Sequence, residues 1–272
     1  MNFWNTIVFS FLFSSILSSQ DYYATLQFAD QKYLEGNYEL ALKTYQRLAF
    51  FNDSSDPGLF IKVADLAFVH DNFDLAQANY GFAYNQTEND SLKRELIFKK
   101  AYCQMLDHKY EFAIIDLLTL DDTIAETKQR VNFYLGTCYF GLEDFEQSKS
   151  YFKECIDPAH HYELEKLFSK KSLFSPNPKK ARIMSTIFPG TGQFYSGYYR
   201  DGINSFFLSA TLIGIFVNSI NTYNPLYAIV TVMPWFQRYY TGGFLKSERL
   251  AQIKRQNNRN KTYNRILKLI NS

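Results

Sequence analysis

GNYELALKTY, at residues 36–45, is a stretch whose pattern returns at residues 71–80, 109–117 and 143–152. An aromatic residue heads each copy, and successive aromatics are 35, 37 and 35 residues apart. These aromatics are Tyr38, Phe73, Tyr110 and Phe145. A period of this length is typical of paired-helix units that stack side by side into a solenoid. The sequence therefore predicts an all-α repeat domain in the first half of the chain.

Small and large residues keep fixed places around each aromatic. A small residue lies nine positions before it, another lies three positions after it, and a large apolar residue follows four further on. The small residues let two helix backbones approach closely, and we expect the aromatic to pack at the turn between them. The small residues are Ala29, Ala41, Ala64, Ala76, Ala101, Ala113, Gly136 and Ser148, and the large ones are Tyr45, Tyr80, Leu117 and Phe152.

These residues resemble the tetratricopeptide repeat family over residues 22–158, and the last unit, with Phe133, Leu135, Gly136 and Tyr139, is the most similar. The resemblance implies a right-handed helical solenoid with a concave groove that binds a protein or peptide. Residues 21–165 carry 13 Lys+Arg against 25 Asp+Glu, a net charge of −12. This charge favours a basic or neutral partner, although acidic residues on helices are also common as plain solvated faces.

The second half of the chain has the opposite charge. Residues 166–272 carry 16 Lys+Arg against 2 Asp+Glu, a net of +14, together with long apolar runs. Nucleic-acid binding is one interpretation of such a basic half, but the apolar runs favour a membrane-associated module. We place a linker at residues 166–182, a membrane helical module at 183–245 and a basic amphipathic tail, interrupted near Gln256–Asn258, at 246–272.

A glycine-rich motif, PGTGQFYSG, opens the membrane module at residues 189–197. With the apolar segments at 203–220 and 226–243, the second of which Pro234 should kink or shorten, it resembles the two-transmembrane domain family over residues 181–250. The resemblance implies a membrane-embedded helical hairpin; a buried soluble hairpin is the alternative. The motif residues are Pro189, Gly190, Gly192, Gln193, Phe194, Tyr195, Gly197, Gly202, Gly242 and Gly243. We expect Gln193 and Tyr195 to hydrogen-bond to backbone groups, since unsatisfied polar groups are costly in an apolar environment.

Residues 1–19 are apolar, uncharged and end in small residues, which is typical of a cleaved signal peptide or of an uncleaved N-terminal anchor. A signal peptide predicts that the repeats are exported, and the apolar hairpin predicts a multi-pass membrane protein. The basic flanks of the hairpin favour the cytoplasmic side instead, so two or three spans both remain open.

No catalytic, metal or cofactor site is predicted. Gly190-x-Gly192 lacks the Gly-Lys-Ser/Thr of a phosphate loop, and the three cysteines and four histidines have no ligand spacing. The sequence thus predicts a membrane-anchored repeat scaffold without enzymatic activity, of unknown oligomeric state. The alternative is a component of a transport or protein-insertion assembly, in which the hairpin oligomerises and the repeats recruit substrate.

Overall fold

The computed structural model describes residues 22–51, 56–120 and 124–271. Regular structure in these residues is entirely helical, as the all-α prediction requires. The chain divides into two compact units, the first ending at Glu154 and the second beginning at Cys155. The expected signal peptide or anchor at residues 1–19 lies outside the described residues.

The described part of the first unit contains eight helices in four consecutive pairs. Every second helix starts at one of the four repeat aromatics, so the sequence period and the helix pairs have the same phase. The helices are α1 (Tyr22–Leu34), α2 (Tyr38–Phe51), α3 (Pro57–Val69), α4 (Phe73–Gln86), α5 (Asp90–Leu106), α6 (Tyr110–Leu117), α7 (Ala125–Gly141) and α8 (Phe145–Lys153).

The turn inside each pair has a left-handed residue two positions before the aromatic. Gly36 occupies this position in the first pair with φ +76°, and Asp71, His108 and Glu143 occupy it in the others with φ between +56° and +64°. Only the first pair uses the residue type that favours this conformation. A side-chain cap follows in most pairs; Asn72, for example, accepts a hydrogen bond from the Leu75 N–H.

The small repeat residues lie where helices meet. Ala29, Ala41, Ala64, Ala76, Ala101 and Ala113 have no exposed surface. In the last pair a Cβ on Gly136 would lie 2.8 Å from the Phe152 ring. The Ser148 hydroxyl donates to the Gly136 carbonyl over 2.8 Å. Close backbone approach therefore explains why these positions are small.

The repeat aromatics lie at the turns but differ in their neighbours. Phe73 packs on Phe68 of its own pair, with ring centroids 5.8 Å apart. Tyr110 instead covers Gly141 of the next pair, where an added Cβ would lie 2.5 Å from its ring. Tyr38 packs on Tyr33, Phe145 packs on Phe140, and Tyr139 stacks on Tyr151.

The second unit is built around one long helix. A 3-10 turn (Pro158–His160) leads into α9 (His161–Leu167), α10 (Lys170–Phe174), α11 (Pro178–Ile187), α12 (Thr191–Tyr195), α13 (Tyr199–Thr222) and the 46-residue helix α14 (Pro225–Ile270). Helix α14 packs against α9, α10, α11, α12 and α13. It therefore joins the apolar hairpin to the basic tail in a single element.

This helix corrects one expectation. It continues through residues 256–258, where an interruption was expected, and Pro234 lies inside it. The tail is ordered because it packs on α10: Arg259 Nε donates to the Leu173 carbonyl over 2.9 Å, and Asn258 Nδ2 donates to the Ser175 carbonyl over 3.0 Å. Ile266 is completely buried on the same helix.

Residues 166–182, expected to form a linker, belong to the second unit and are mostly helical. Leu173 is fully buried. Short non-helical breaks fall at residues 168–169 and 175–177, and α11 begins at Pro178 with Asn177 as its cap. Pro176 lies in the second break, as its missing N–H favours, but the division between the two units lies earlier, after Glu154.

Candidate functional site

A pocket of about 530 Å³ opens between α1, α2 and α3. We call it the repeat pocket. Apolar side chains form its rim, and Leu34 is 83% exposed and Val69 65% exposed there. Its lining residues are Asp30, Tyr33, Leu34, Tyr38, Tyr45, Lys62, Asp65, Leu66 and Val69.

Three lining residues of the repeat pocket, Asp30, Tyr45 and Lys62, form a triad. The Tyr45 hydroxyl donates to Asp30 Oδ1, and Lys62 Nζ lies 2.5 Å from the same oxygen. Lys62 Nζ also lies 5.4 Å from the centroid of the Tyr45 ring. The charges of Asp30 and Lys62 therefore neutralise each other within the triad.

The same triad recurs one repeat later. The Tyr80 hydroxyl donates to Asp65 Oδ1 over 2.5 Å, and Lys99 Nζ lies 2.8 Å from that oxygen. Neither triad was predicted from the sequence, although Tyr45 and Tyr80 were identified there as repeat residues. The signal was available: the two aspartates each follow a buried alanine by one residue, and the two lysines are 37 residues apart.

Hydrogen bonding shifts the titration of the first triad. Partial burial raises the pKa of Asp30, but the hydrogen bonds from Lys62 and Tyr45 outweigh it and hold the pKa below its ordinary value. Burial and then the hydrogen bond to Asp30 raise the pKa of Tyr45 above its ordinary value. At neutral pH the triad thus holds an Asp30 carboxylate and a neutral Tyr45 phenol.

The glycines of the PGTGQFYSG motif are required by backbone packing. Gly190 has φ +94°, and a Cβ there would lie 2.4 Å from the Gly202 carbonyl oxygen. A Cβ on Gly192 would lie 2.0 Å from the Ala181 carbonyl oxygen and 2.6 Å from Ser185 Oγ. These contacts are shorter than any real Cβ makes, so the start of α12 can approach α13 only because Gly190 lacks a side chain, and α12 can pack on α11 only because Gly192 does.

Gln193 is the buried centre of the motif. It has no exposed surface, and its Oε1 accepts from Ser185 Oγ over 2.8 Å. Its Nε2 donates to the Gly243 carbonyl over 2.9 Å. Ser185 Oγ also accepts from the Gly192 N–H over 2.9 Å. One amide therefore connects α11, α12 and α14.

The remaining motif residues extend this joint. The Tyr195 hydroxyl accepts from the Asn177 N–H over 3.1 Å, so Gln193 and Tyr195 both bond to the backbone. A Cβ on Gly243 would lie 2.9 Å from Ser205 Oγ, whereas one on Gly242 would meet nothing within 4 Å. Phe194 lies beside Gly202, Gly197 has φ +83°, and Pro189 is half-buried. Of the two closing glycines, only Gly243 belongs to a tight contact.

Helix α13 is the one helix of the described chain that is long and apolar enough to cross a membrane. The segment at 226–243, expected to form a second span, lies within α14 and does not meet the same criterion. A multi-pass arrangement is therefore not supported by the apolar helices of the described residues. Large apolar side chains are nonetheless exposed on both helices, among them Phe207, Ile213 and Val217 on α13 and Leu226, Val230 and Trp235 on α14.

The base of this hairpin is held by ion pairs. Lys246 Nζ on α14 lies 2.5 Å from Asp201 Oδ1 on α13. Arg182 on α11 pairs with Glu248 on α14 at 3.3 Å. These two acids are the only ones in residues 166–272, so the other basic residues of that stretch have no further acid within it to pair with.

Within the described residues no cluster of His, Cys, Asp and Glu could hold a metal ion. The three cysteines are buried, and Cys103 and Cys138 are free thiols. Burial raises the pKa of Cys103 and of Cys138 to about 12, so neither thiol is a nucleophile at neutral pH. His161 Nε2 lies 3.2 Å from the Ile156 carbonyl oxygen of its own chain.

The chain matches no protein-family model. No curated protein matches it either.

Proposed function

We propose that this protein is a membrane-anchored scaffold, in which tetratricopeptide-type repeats bind a protein or peptide and the α13–α14 hairpin holds them at a membrane. The observation that carries the proposal is the repeat pocket of about 530 Å³. A pocket of this size accepts one large side chain or a short peptide segment. Its apolar rim is exposed, although exposed leucine and valine side chains are energetically unfavourable in water.

The chemistry of the pocket favours an extended peptide with a large apolar side chain. Leu34, Leu66 and Val69 supply apolar surface, while Lys62 and Asp30 supply one donor and one acceptor beside it. Paired charges of this kind can hydrogen-bond to a peptide backbone without selecting a charged side chain. Because the first unit is acidic overall, a neutral or basic partner is favoured over an acidic one.

The anchor is proposed from the exposed apolar surface of the hairpin. Helix α13 contains 18 consecutive uncharged residues, 203–220, which correspond to about 27 Å of helix. Moving a large apolar side chain out of water contributes about 1.5–3 kcal/mol when it is complete. Six half-exposed side chains on the two helices would therefore contribute on the order of 5–9 kcal/mol, enough for stable membrane association.

A second part of this proposal concerns placement. We propose that the apolar run of α13 inserts together with the first turns of α14, and that the basic base of the hairpin stays at the membrane surface. The basic residues at the hairpin base support this, because they suit lipid headgroups rather than hydrocarbon. An exported repeat domain follows if residues 1–19 act as a signal peptide.

Site-specific photo-cross-linking in membranes tests the scaffold proposal. A photo-reactive amino acid replaces Leu34, at the rim of the repeat pocket, or Ile115, which is 63% exposed outside it. We expect a discrete protein adduct from position 34 only, and we expect it to disappear when Val69→Asp is added. Equal adducts at both positions, or none at position 34, would contradict the proposal.

A further inference from the structure

A second pocket, of about 360 Å³, lies at the base of the hairpin, and we call it the basic pocket. One wall is the short loop before α13, and the other is one face of α14 beyond the apolar hairpin. Its lining residues are Ser196, Gly197, Tyr198, Lys254, Asn257, Asn258, Asn260, Lys261 and Asn264. The lining thus combines two ammonium groups with four side-chain amides and contains no acid.

The two lysines of the basic pocket are not neutralised by the protein. In the described residues neither Lys254 nor Lys261 lies within ion-pair distance of a carboxylate, and the two acids of residues 166–272 are paired with Arg182 and Lys246 instead. Two uncompensated ammonium groups facing one cavity repel each other, so an anion between them would be stabilised.

The spacing of the pocket residues along α14 lets their hydrogen-bond donors surround a single ligand. Lys254, Asn257, Lys261 and Asn264 follow one another at three- and four-residue steps, so they share one face of α14. The two lysines are about 10 Å apart along the helix, with Asn257 between them. Ammonium and amide groups are all hydrogen-bond donors, and together they match the several acceptor oxygens of a phosphate group.

The opposite wall of the basic pocket adds to its positive electrostatic potential. Helix α13 begins at Tyr199, and Tyr198 gives it no side-chain cap. The first amide groups of this 24-residue helix contribute partial positive charge beside the lysines, and the one acid of its first turn, Asp201, is paired with Lys246.

The basic pocket lies close to the point where the uncharged run of α13 begins. The uncharged run of α13 starts at Ile203, five residues after Tyr198, which is about 8 Å of helix. The headgroup layer on each side of the hydrocarbon is about 5–8 Å thick. If the hairpin inserts as proposed above, on which this step rests, the pocket opens at the depth of lipid phosphates.

From these observations we infer that the basic pocket binds the phosphate of an anionic lipid headgroup. The lipid phosphate supplies the negative charge that the lining lacks, while its acyl chains can lie along the exposed apolar side chains of the hairpin. The binding is reversible and involves no covalent step. Free inorganic phosphate offers the same chemistry without the acyl chains, so the test separates these two sources.

The test uses the full chain, purified in a neutral detergent, and titrates it with short-chain phosphatidylglycerol or with inorganic phosphate. The pocket variant is Lys254→Gln with Lys261→Gln, and the matched control is Lys170→Gln with Lys171→Gln, which removes the same charge from exposed positions outside the pocket. We expect about 30-fold weaker phosphatidylglycerol binding for the pocket variant and less than about threefold for the control. Asn257→Asp, which puts a negative charge into the pocket, should weaken binding in the same way.

Three results would overturn the inference: equal losses in the pocket variant and the control, no phosphatidylglycerol binding by the wild type, or inorganic phosphate binding as tightly as the lipid. In parallel, the pocket variant is incorporated into neutral phosphatidylcholine vesicles and washed with alkaline carbonate, and the fraction that is retained is measured. That retention reports on the hairpin alone, so a failed anchor and a failed lipid site give different results.

Discussion

Gly192→Ala tests whether the motif glycines hold the second unit together. The new Cβ would lie 2.0 Å from the Ala181 carbonyl oxygen, which is backbone and cannot rotate away. It would also lie 2.6 Å from Ser185 Oγ, the atom that accepts from the Gly192 N–H. Helices α11 and α12 must therefore separate, and the buried hydrogen bonds around Gln193 must lengthen.

The magnitude follows from these two effects. Overpacking of a close contact costs about 1–3 kcal/mol. Leaving a buried amide without its acceptor costs about a further 1–3 kcal/mol. Alanine regains about 0.5–1 kcal/mol relative to glycine in a helix. The net loss in the free energy of unfolding is therefore about 2–5 kcal/mol.

The assay is thermal unfolding of the full chain in detergent, followed by the fluorescence of Trp235. A Trp4→Phe background leaves Trp235 as the single tryptophan, because the chain has only two. The matched control is Gly242→Ala, since a Cβ there meets nothing within 4 Å. We expect Gly192→Ala to lower the Tm by at least about 6 °C and Gly242→Ala to leave it unchanged or raise it slightly. Equal Tm values for the two variants would refute the close-packing argument.

Three further changes have defined outcomes. Gly136→Ala places a Cβ 2.8 Å from the Phe152 ring and should destabilise the first unit by about 1–3 kcal/mol in urea unfolding, whereas a stabilised variant would show that the ring can move. Gln193→Leu removes the bonds to Ser185 and Gly243, so the Trp235 fluorescence Tm should fall by at least about 4 °C; an unchanged Tm would mean that the amide is dispensable. The raised pKa of Tyr45 means that its stabilising effect is complete below about pH 10 and is lost as the pH rises towards the folded value. Between pH 8 and pH 11 the free energy of unfolding in urea should therefore fall less in Tyr45→Phe than in the wild type. Equal falls would contradict the role of the Tyr45 hydrogen bond.

Local patterns predicted much of the fold. The repeat spacing predicted the four helix pairs because small and aromatic residues repeat with the helix contacts they make, and each second helix begins at its expected aromatic, Tyr38 first. Gly190 and Gly192 were identified from the sequence because close backbone approach requires glycine. In both cases the physical cause acts on neighbouring residues and leaves a readable pattern.

Long-range pairing was not predictable in the same way. The bond between Gln193 and Gly243 joins residues 50 positions apart, and nothing local to either residue indicates the other. Continuity of α14 through residues 256–258 was also missed, because Asn258 and Arg259 bond to carbonyls of α10 and its end, more than 80 positions earlier. Tertiary contacts of this kind override weak helix propensity.

The most direct test of the account is whether the hairpin holds the protein in a membrane. Cell membranes that contain the full chain are washed with alkaline carbonate, which removes peripheral proteins, and the wild type is compared with Ile213→Asp plus Val217→Asp. Both side chains are about half exposed on α13, so the variant should fold, while each charge costs about 2.5–3.5 kcal/mol inside a bilayer. We predict that the wild type stays in the membrane pellet and that the variant is released. Release of the wild type, or equal retention of both proteins, would contradict it.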